Sequence, residues 1–428
     1  MNTTQTTAAS QKPTLNGVRL KARKRVNKAN AKFDPEAFRE QVVTIIEDTD
    51  ASKDKFEQVL NNLDVAGNTL DYRRYGETLF EILIAGGIVA PGGIIEAEDD
   101  VELTFNVFTV PEGTIDNVKP YVDVFNRLIR RYKYLLPRLE STIRNLLQNV
   151  NKWPAADVNK LATLVGLLVS TQLVPLSVLT ALLNEHLVKE GMSLVCLTLI
   201  LRVCLTEQGI DQLSRHLKKN KLETKLLEFF PPNKQDEESF ARHFEIEDLK
   251  PIVKFRVANR QNALMDELVS TAKEMIQEEK PAEEVAGHLN RMIKENHWAE
   301  TDVIGLIWDA VMGAVDWSTR PEILEAQTLR QVKDWSMVLA AFCTQPKTEV
   351  ALLCHVQIYC YENAKLMKLF TRIVQILYDE EVLSDNAILF WYAKGAKPQG
   401  KAIFIKQMAP FADFLENASS EDEDDDEA

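Results

Sequence analysis

In its 428 residues the chain has no C-x-x-C pair, no H-x-x-x-H, no G-x-S-x-G and no glycine-rich phosphate loop. Each absence removes a chemistry: the zinc ribbon, the helical metal site, the serine-hydrolase elbow and the nucleotide cradle. Glycine is scarce, at 16 residues, and Gly86-Gly87 and Pro91-Gly92-Gly93 read as helix ends. Five cysteines (Cys196, Cys204, Cys343, Cys354, Cys360) make an odd number in apolar surroundings. They are expected to be buried free thiols in a reducing compartment. Met1 to Lys12 is polar and threonine-rich, which excludes a secretory signal. Leu161 to Asn184 is uncharged and about as long as a membrane span, but Ser170-Thr171-Gln172 and Pro175 interrupt it. It reads as two helices with a turn between them. The six histidines are scattered, and acid pairs such as Glu283-Glu284 are adjacent, so they do not face each other on a helix. The chain thus reads as a binding scaffold rather than an enzyme, with no cofactor and no metal.

What is present is an ordinary globular composition, 45% hydrophobic and 27% charged. Its length suits two or three domains. The charge of −14 is unevenly laid out. Residues 1–28 hold seven Lys or Arg and no acid, while Glu421 to Glu427 are seven consecutive acids. These ends cancel, so the body carries the whole deficit and should favour basic protein partners over nucleic acid. The cluster Arg19 to Lys28 could serve nuclear import or RNA contact, or be a solvated tail. A basic leucine zipper does not follow from it. Phe38, Val42, Ile45 and Ile46 recur at helical rather than heptad spacing.

Asp34-Pro35-Glu36 is a helix start, with an acid cap and proline in the first turn. From there nearly every segment is expected to be helical. Helices are predicted over 53–63, 71–85, 120–136, 137–150, 154–170, 175–189, 194–205 and 210–219, with Asp71 as a cap. Val101 to Val110 is a short strand or a helix. Phe229 to Glu238 is the best domain boundary. Helices over 262–278, 281–295, 299–315, 321–344, 348–361, 365–379, 386–394 and 401–417 follow. Helices of this length with short links make an all-α helical-repeat solenoid. No exact repeat period is present, so this expectation rests on spacing.

Two clusters carry a binding chemistry. Arg127, Arg130, Arg131 and Lys133, with Tyr132 and Tyr134, form a basic-aromatic patch in an acidic body, with Arg127, Arg130, Arg131 and Tyr134 on one helical face. It suits an acidic partner or RNA, or it is a solvated face. The last fifty residues alternate rings and carboxylates: Tyr378, Asp379, Glu380, Glu381, then Trp391 and Tyr392, then Phe411, Phe414, Leu415 and Glu416. Aromatics can pack the aliphatic stems of a lysine-rich segment while acids meet its ammonium groups. The tryptophans Trp308, Trp317 and Trp335 read as core, and Trp391 reads as part of the binding surface. Ser419 and Ser420, directly before acids, suit an acid-directed kinase.

The segments Leu377 to Asp385, Ile388 to Tyr392 and Phe411 to Glu416 resemble the two acidic-aromatic boxes of the W-two domain. Gln11 to Leu15, Leu70 to Tyr75, Ala85 to Gly93 and Leu128 to Tyr134 resemble the "basic leucine-zipper and W-two domain" proteins, the mimics of initiation factor five. The resemblance spans essentially the whole chain. It implies an all-α fold of HEAT/armadillo-like helical repeats in two parts: a disordered basic arm over 1–32, a HEAT-like domain over 33–245, a W-two domain over 246–417 and a disordered acidic tail over 418–428. It implies a non-catalytic, cytoplasmic regulator of translation initiation. This regulator binds the lysine boxes of the initiation factor two beta subunit, and factor three on the small-subunit preinitiation complex, in competition with factor five, so tuning start-codon selection. The ten box residues from Tyr378 to Glu416 would be its site. The family usually has Trp where this chain has Phe414, and Ala418-Ser419-Ser420 interrupts its usual acidic run. No membrane and no direct sequence-specific nucleic-acid contact are implied. The alternatives are a nuclear nucleic-acid-associated regulator using the basic arm, or a general helical-repeat scaffold.

Overall fold

The computed structural model describes residues 33–48, 55–96, 103–315 and 321–425. The basic arm over 1–32 lies outside them, as do Val101 and Glu102. Among the described residues the chain is helical apart from its turns and one two-residue hairpin, Ile88–Val89 with Ile95–Glu96. It divides into two compact units, Met1–Phe255 and Arg256–Ala428, and the division falls within the helix Lys250–Gln277.

In the first unit every second helix is a neighbour. Lys55–Ala66 packs on Ile115–Arg131, that on Ala155–Ser170, and that on Met192–Lys219. A second row runs from Pro35–Glu47 through Gly76–Ala85 and Leu136–Gln148 to the 3-10 segment Leu176–Leu183. Two rows of alternate helices are the arrangement of a helical repeat, in which each pair buries an apolar stripe on the next. Gly166 lets Ala155–Ser170 and Met192–Lys219 approach closely, since a Cβ there would lie 2.6 Å from that of Val203. The second unit repeats the plan. Glu300–Gly313 leads to Pro346–Glu362 and then Asp385–Phe390, beside Pro321–Asp334, Phe370–Asp379 and Lys401–Asp425.

The helix starts follow their caps, and the helix ends follow a rule that glycine does not announce. The Asp34 carboxylate accepts the Ala37 N–H at 3.0 Å, with Pro35 opening the helix. Gly86 ends its helix in the left-handed conformation at φ 82°. Six other left-handed residues among those described are not glycine: Gln172, Lys221, Asp248, Glu279, His297 and Glu381. All six donate to the carbonyl three residues back, while the next N–H reaches five back, as in Leu173 to Leu168 and Val382 to Leu377. That is the Schellman closure, and five of the six are followed by an apolar residue: Leu173, Leu222, Leu249, Trp298 and Val382.

Several expectations are corrected. Pro91-Gly92-Gly93 is the hairpin turn rather than a helix end. Residues 103–110 hold neither strand nor α-helix but a 3-10 turn, Val107–Thr109, with Asn106 and Thr109 capping each other. Asp71 caps a turn by accepting from Arg74 N–H at 3.3 Å, and the helix starts only at Gly76. Pro120 lies inside Ile115–Arg131, because burial of Val118 and Tyr121 holds the turns on either side of it. The segment after Pro175 is 3-10. One described helix, Met192–Lys219, is long and apolar enough to cross a membrane. It breaks at Gly209 (φ 72°, ψ 173°) and buries Leu197, Ile200, Leu201 and Cys204 in the first unit's core. The last helix stays helical to Asp425, beyond the expected end at 417.

The left-handed conformation costs a side chain roughly 1 kcal/mol. Gln172→Gly and Lys221→Gly, both at exposed positions, should therefore each raise stability by about 0.5–1 kcal/mol in urea denaturation. Gly166→Val should lower it by about 1–3 kcal/mol through overpacking against Val203. A neutral or reversed pair of results would contradict this account of the helix ends.

Candidate functional site

The terminal boxes are built on one buried amide. Gln357 is the polar member of an otherwise apolar stripe, Leu353, Val356 and Cys360, on the helix Pro346–Glu362, and is fully buried. Its Nε2 donates to the carbonyls of Lys397 and Gln399, both at 2.7 Å. Its Oε1 accepts the Trp391 indole N–H at 3.0 Å and the Lys397 N–H at 2.9 Å. All four hydrogen-bonding positions of the amide are thereby used. They tie the segment Trp391–Gly395, a single turn of π-helix, and the loop after it to the core. The Trp391 ring lies 5.4 Å from that of Phe370.

Trp391 is thus not a contact residue, as the sequence suggested, but a core residue with no exposed surface. The reason is helical phase: Ala387, Ile388 and Trp391 share the buried stripe of the helix beginning at Asp385. Its neighbour Phe390 points out instead, at 53% exposure. Leu415 is likewise buried rather than at the surface. Tyr392 is half-buried against the same core.

The remaining box residues come together above this core. The Tyr378 ring meets Phe411 edge to face at 5.7 Å, and Phe411 lies parallel to Phe414 at 6.3 Å. The three rings join the helix Phe370–Asp379 to the helix Lys401–Asp425, and Phe414 is 60% exposed at the outer end. Asp379 and Glu381 are exposed, and Glu380 is half-buried and pairs with Lys333 at 3.2 Å. Glu416 is exposed on the second helix. Ser419 and Ser420 continue that helix, but their side chains lie outside those described.

The corner gathers negative charge, with Lys333 opposite Glu380. Asp379, Glu380 and Glu381 sit at a helix C-terminus, where the backbone already presents partial negative charge and a cation would be stabilising. Glu381 also occupies the left-handed position of its Schellman closure at φ 57°, where glycine is the unstrained residue. Two exposed carboxylates at such a place, Asp379 and Glu381, offer a partner's ammonium groups more than an isolated surface acid does. The turn that carries them is fixed from beneath, because the Glu349 carboxylate accepts from both the N–H and the hydroxyl of Ser384 at 2.6 Å. Gln357, Glu349 and Lys333 were not singled out in the sequence. Gln357 alone had a signal there, as a polar residue in phase with an apolar stripe.

The other candidate patch is less of a unit than expected. Arg127, Arg130, Arg131 and Lys133 are all exposed. The helix ends at Arg131, so Tyr134 does not share its face but sits in the 3-10 turn Lys133–Leu135. Arg127 pairs with Glu57 at 3.8 Å and Arg131 with Asp64 at 3.3 Å.

No thiol is poised for chemistry. Burial pushes Cys196, Cys204 and Cys360 up to about 12, and Cys343 up to about 12 through burial with Glu349 and Glu300 beside it. Burial also raises Cys354. The His355 Nε2 lies 2.8 Å from Asp309 Oδ1, but its other ring nitrogen packs on the backbone at Gly305, where no nucleophile stands. Among the described residues no group of His, Cys, Asp and Glu is placed to hold a metal ion.

Comparison with known proteins adds a second line. The model of the 5MP1/2 HEAT domain matches residues 20–266, and the W2 model, described as eIF4-gamma/eIF5/eIF2-epsilon, matches residues 348–425. The chain is 37% identical over 413 residues to eIF5-mimic protein 1 of Gallus gallus, covering 96% of this chain and 99% of the relative. It is 38% identical over 415 residues to eIF5-mimic protein 1 of Rattus norvegicus (96% and 98%). It is 37% identical over 414 residues to eIF5-mimic protein 2 of Homo sapiens (96% and 97%).

Gln357→Leu should strand two carbonyls, an indole N–H and a backbone N–H in the core of the second unit. Each orphaned group costs roughly 1–3 kcal/mol, so a loss of about 3–5 kcal/mol is expected after partial rescue by water. Tryptophan fluorescence during urea denaturation reads that unit, because five of the six tryptophans lie after residue 255. An unchanged midpoint would show that the amide does not hold the boxes.

Proposed function

The chain belongs to the family of eIF5-mimic proteins, with a HEAT domain followed by a W2 domain, and from that premise we propose that it regulates translation initiation by binding alone. The reading assigns it no catalysis and places its work in the cytoplasm. Its partners are the lysine boxes of the initiation factor two beta subunit, and initiation factor three on the small-subunit preinitiation complex. It holds them in competition with initiation factor five, and start-codon selection responds to that competition.

The observation that supports this reading is the convergence of both boxes on one corner. Tyr378, Phe411 and Phe414 make an aromatic ladder, and Asp379, Glu380 and Glu381 stand at the end of the helix that carries Tyr378. A lysine side chain matches both halves, with its four-carbon stem on the rings and its ammonium at the carboxylates. Phe414 keeps the ring face but lacks an indole donor, so its contribution is packing. Trp391 and Leu415 act from below, by fixing the spacing of the two helices.

Calorimetry of the full chain with a lysine-box peptide of the factor-two beta subunit tests this. Binding should weaken as salt rises. Asp379→Lys with Glu381→Lys should weaken it by about two orders of magnitude, since each reversal removes an attraction and adds a repulsion. Phe414→Ala should weaken it by about tenfold through lost ring contact. Glu381→Gly is the discriminating variant: it should lower affinity while raising stability. Equal affinity in all variants would remove the boxes as the site.

A further inference from the structure

The first unit carries a surface that this reading does not use. Two turns meet there, Asp71–Tyr75 and Tyr132–Leu135. The Tyr72 and Tyr132 rings meet edge to face at 5.6 Å, and Tyr132 lies 5.9 Å from Tyr134. Tyr132 is held in place, its hydroxyl donating to the Asp64 carbonyl at 3.0 Å and its ring closing on Gly67, where a Cβ would come within 2.3 Å. Three guanidinium groups rest against this aromatic base. Arg73 is 5.0 Å over Tyr134, Arg131 is 6.0 Å over Tyr132, and Arg74 is 5.5 Å over Phe33 and 5.6 Å over Tyr75.

An arginine held against a ring has less freedom to lose when it binds an anion, and its N–H groups stay available as donors. Arg73, Arg130 and Lys133 are exposed and make no ion pair among the described residues. The neighbouring Arg127–Glu57 and Arg131–Asp64 pairs are exposed and long, at 3.8 and 3.3 Å, so a stronger acceptor can take over those guanidiniums. In a protein of net charge −14 this is a local excess of positive charge with preset geometry.

We infer that this ridge binds a carboxylate-rich segment of a partner protein. RNA fits it less well. Single strands need open aromatic faces on which bases stack, and here the faces are taken. Arg73 stands over Tyr134, Tyr72 is buried, Tyr132 packs on Tyr72 and Gly67, and Tyr75 stacks on Phe33 at 5.0 Å and Phe38 at 4.8 Å. Glu57, Asp64 and Glu77 interrupt the cations and break the track that a phosphate backbone would follow. A short run of Asp and Glu needs only the three cations that make no ion pair among the described residues and the guanidiniums beside them.

Fluorescence anisotropy with a labelled oligo-glutamate peptide, and separately a labelled oligouridine, tests the inference on the full chain. The peptide should bind, and Arg73→Glu, Arg130→Glu and Lys133→Glu together should weaken it by at least about tenfold with the melting temperature unchanged, because all three side chains are exposed. Tyr134→Ala should weaken it by a smaller factor, through the freedom regained by Arg73. Reversal of Asp379 and Glu381 should not weaken it. The inference is overturned if the triple variant binds as the wild type does, if the wild type binds oligouridine and not the peptide, or if the peptide binds only after residues 418–428 are removed. That last result would give the ridge to the chain's own acidic tail.

Discussion

The second unit depends on the side chain of Gln357. Two helical layers meet over it, and the π-turn at Trp391 and the loop after it have no regular helix to satisfy their backbone groups. The amide supplies two donors to Lys397 and Gln399 and accepts from Trp391 and Lys397. A buried network of this kind is stable because it is complete; with one member missing, the low dielectric that strengthens the others penalises the orphans. With the loop fixed, the helix Lys401–Asp425 enters at one angle and brings Phe411 against Tyr378. The candidate corner is therefore the outer surface of a polar knot inside an apolar core.

That corner departs from what stability alone favours. Its acids stand at the negative end of a helix, and Glu381 holds a left-handed backbone where a glycine would be unstrained. The same left-handed closure at Gln172, Lys221, Asp248, Glu279 and His297 shows that the fold uses it as a general way to end a helix. At Glu381 the fold's ordinary closure also presents a carboxylate. The ridge at Tyr132 and Tyr134 shows the opposite sign on the same economy of means, with arginines resting on rings that also pin the turns.

Much of this was legible in the sequence, and the exceptions have physical causes. The all-helical fold and the Asp34 cap followed from period and capping chemistry, and the resemblance pointed to the two segments that the structure brings to one corner. The helix ends at 170, 219, 295 and 379 also stand where the sequence put them, although their left-handed residues are polar rather than glycine; only the helix Glu237–Ile246, closed at Asp248, was not expected. Pro120 was read as a start because a proline's local preference is strong; burial of Val118 and Tyr121 overrode it. The hairpin at Ile88 to Glu96 is too short to leave a period. Trp391 was read by its company of acids, whereas its phase with Ala387 and Ile388 placed it inward. Gln357 could be recognised only by asking why one amide stands in an apolar stripe. Its four partners lie some forty residues along the chain, beyond the reach of any local rule.

The central claim is that this corner occupies the same partner surface as initiation factor five does. The direct measurement is equilibrium competition: a labelled lysine-box peptide of the factor-two beta subunit, pre-bound to the W2 domain of initiation factor five, titrated with this chain. The account predicts full displacement, with a midpoint that rises in proportion to the amount of factor-five domain present. A ternary complex, or displacement that saturates part way whatever the factor-five concentration, would mean that the two proteins hold different faces of the peptide and that this chain is not a competitor.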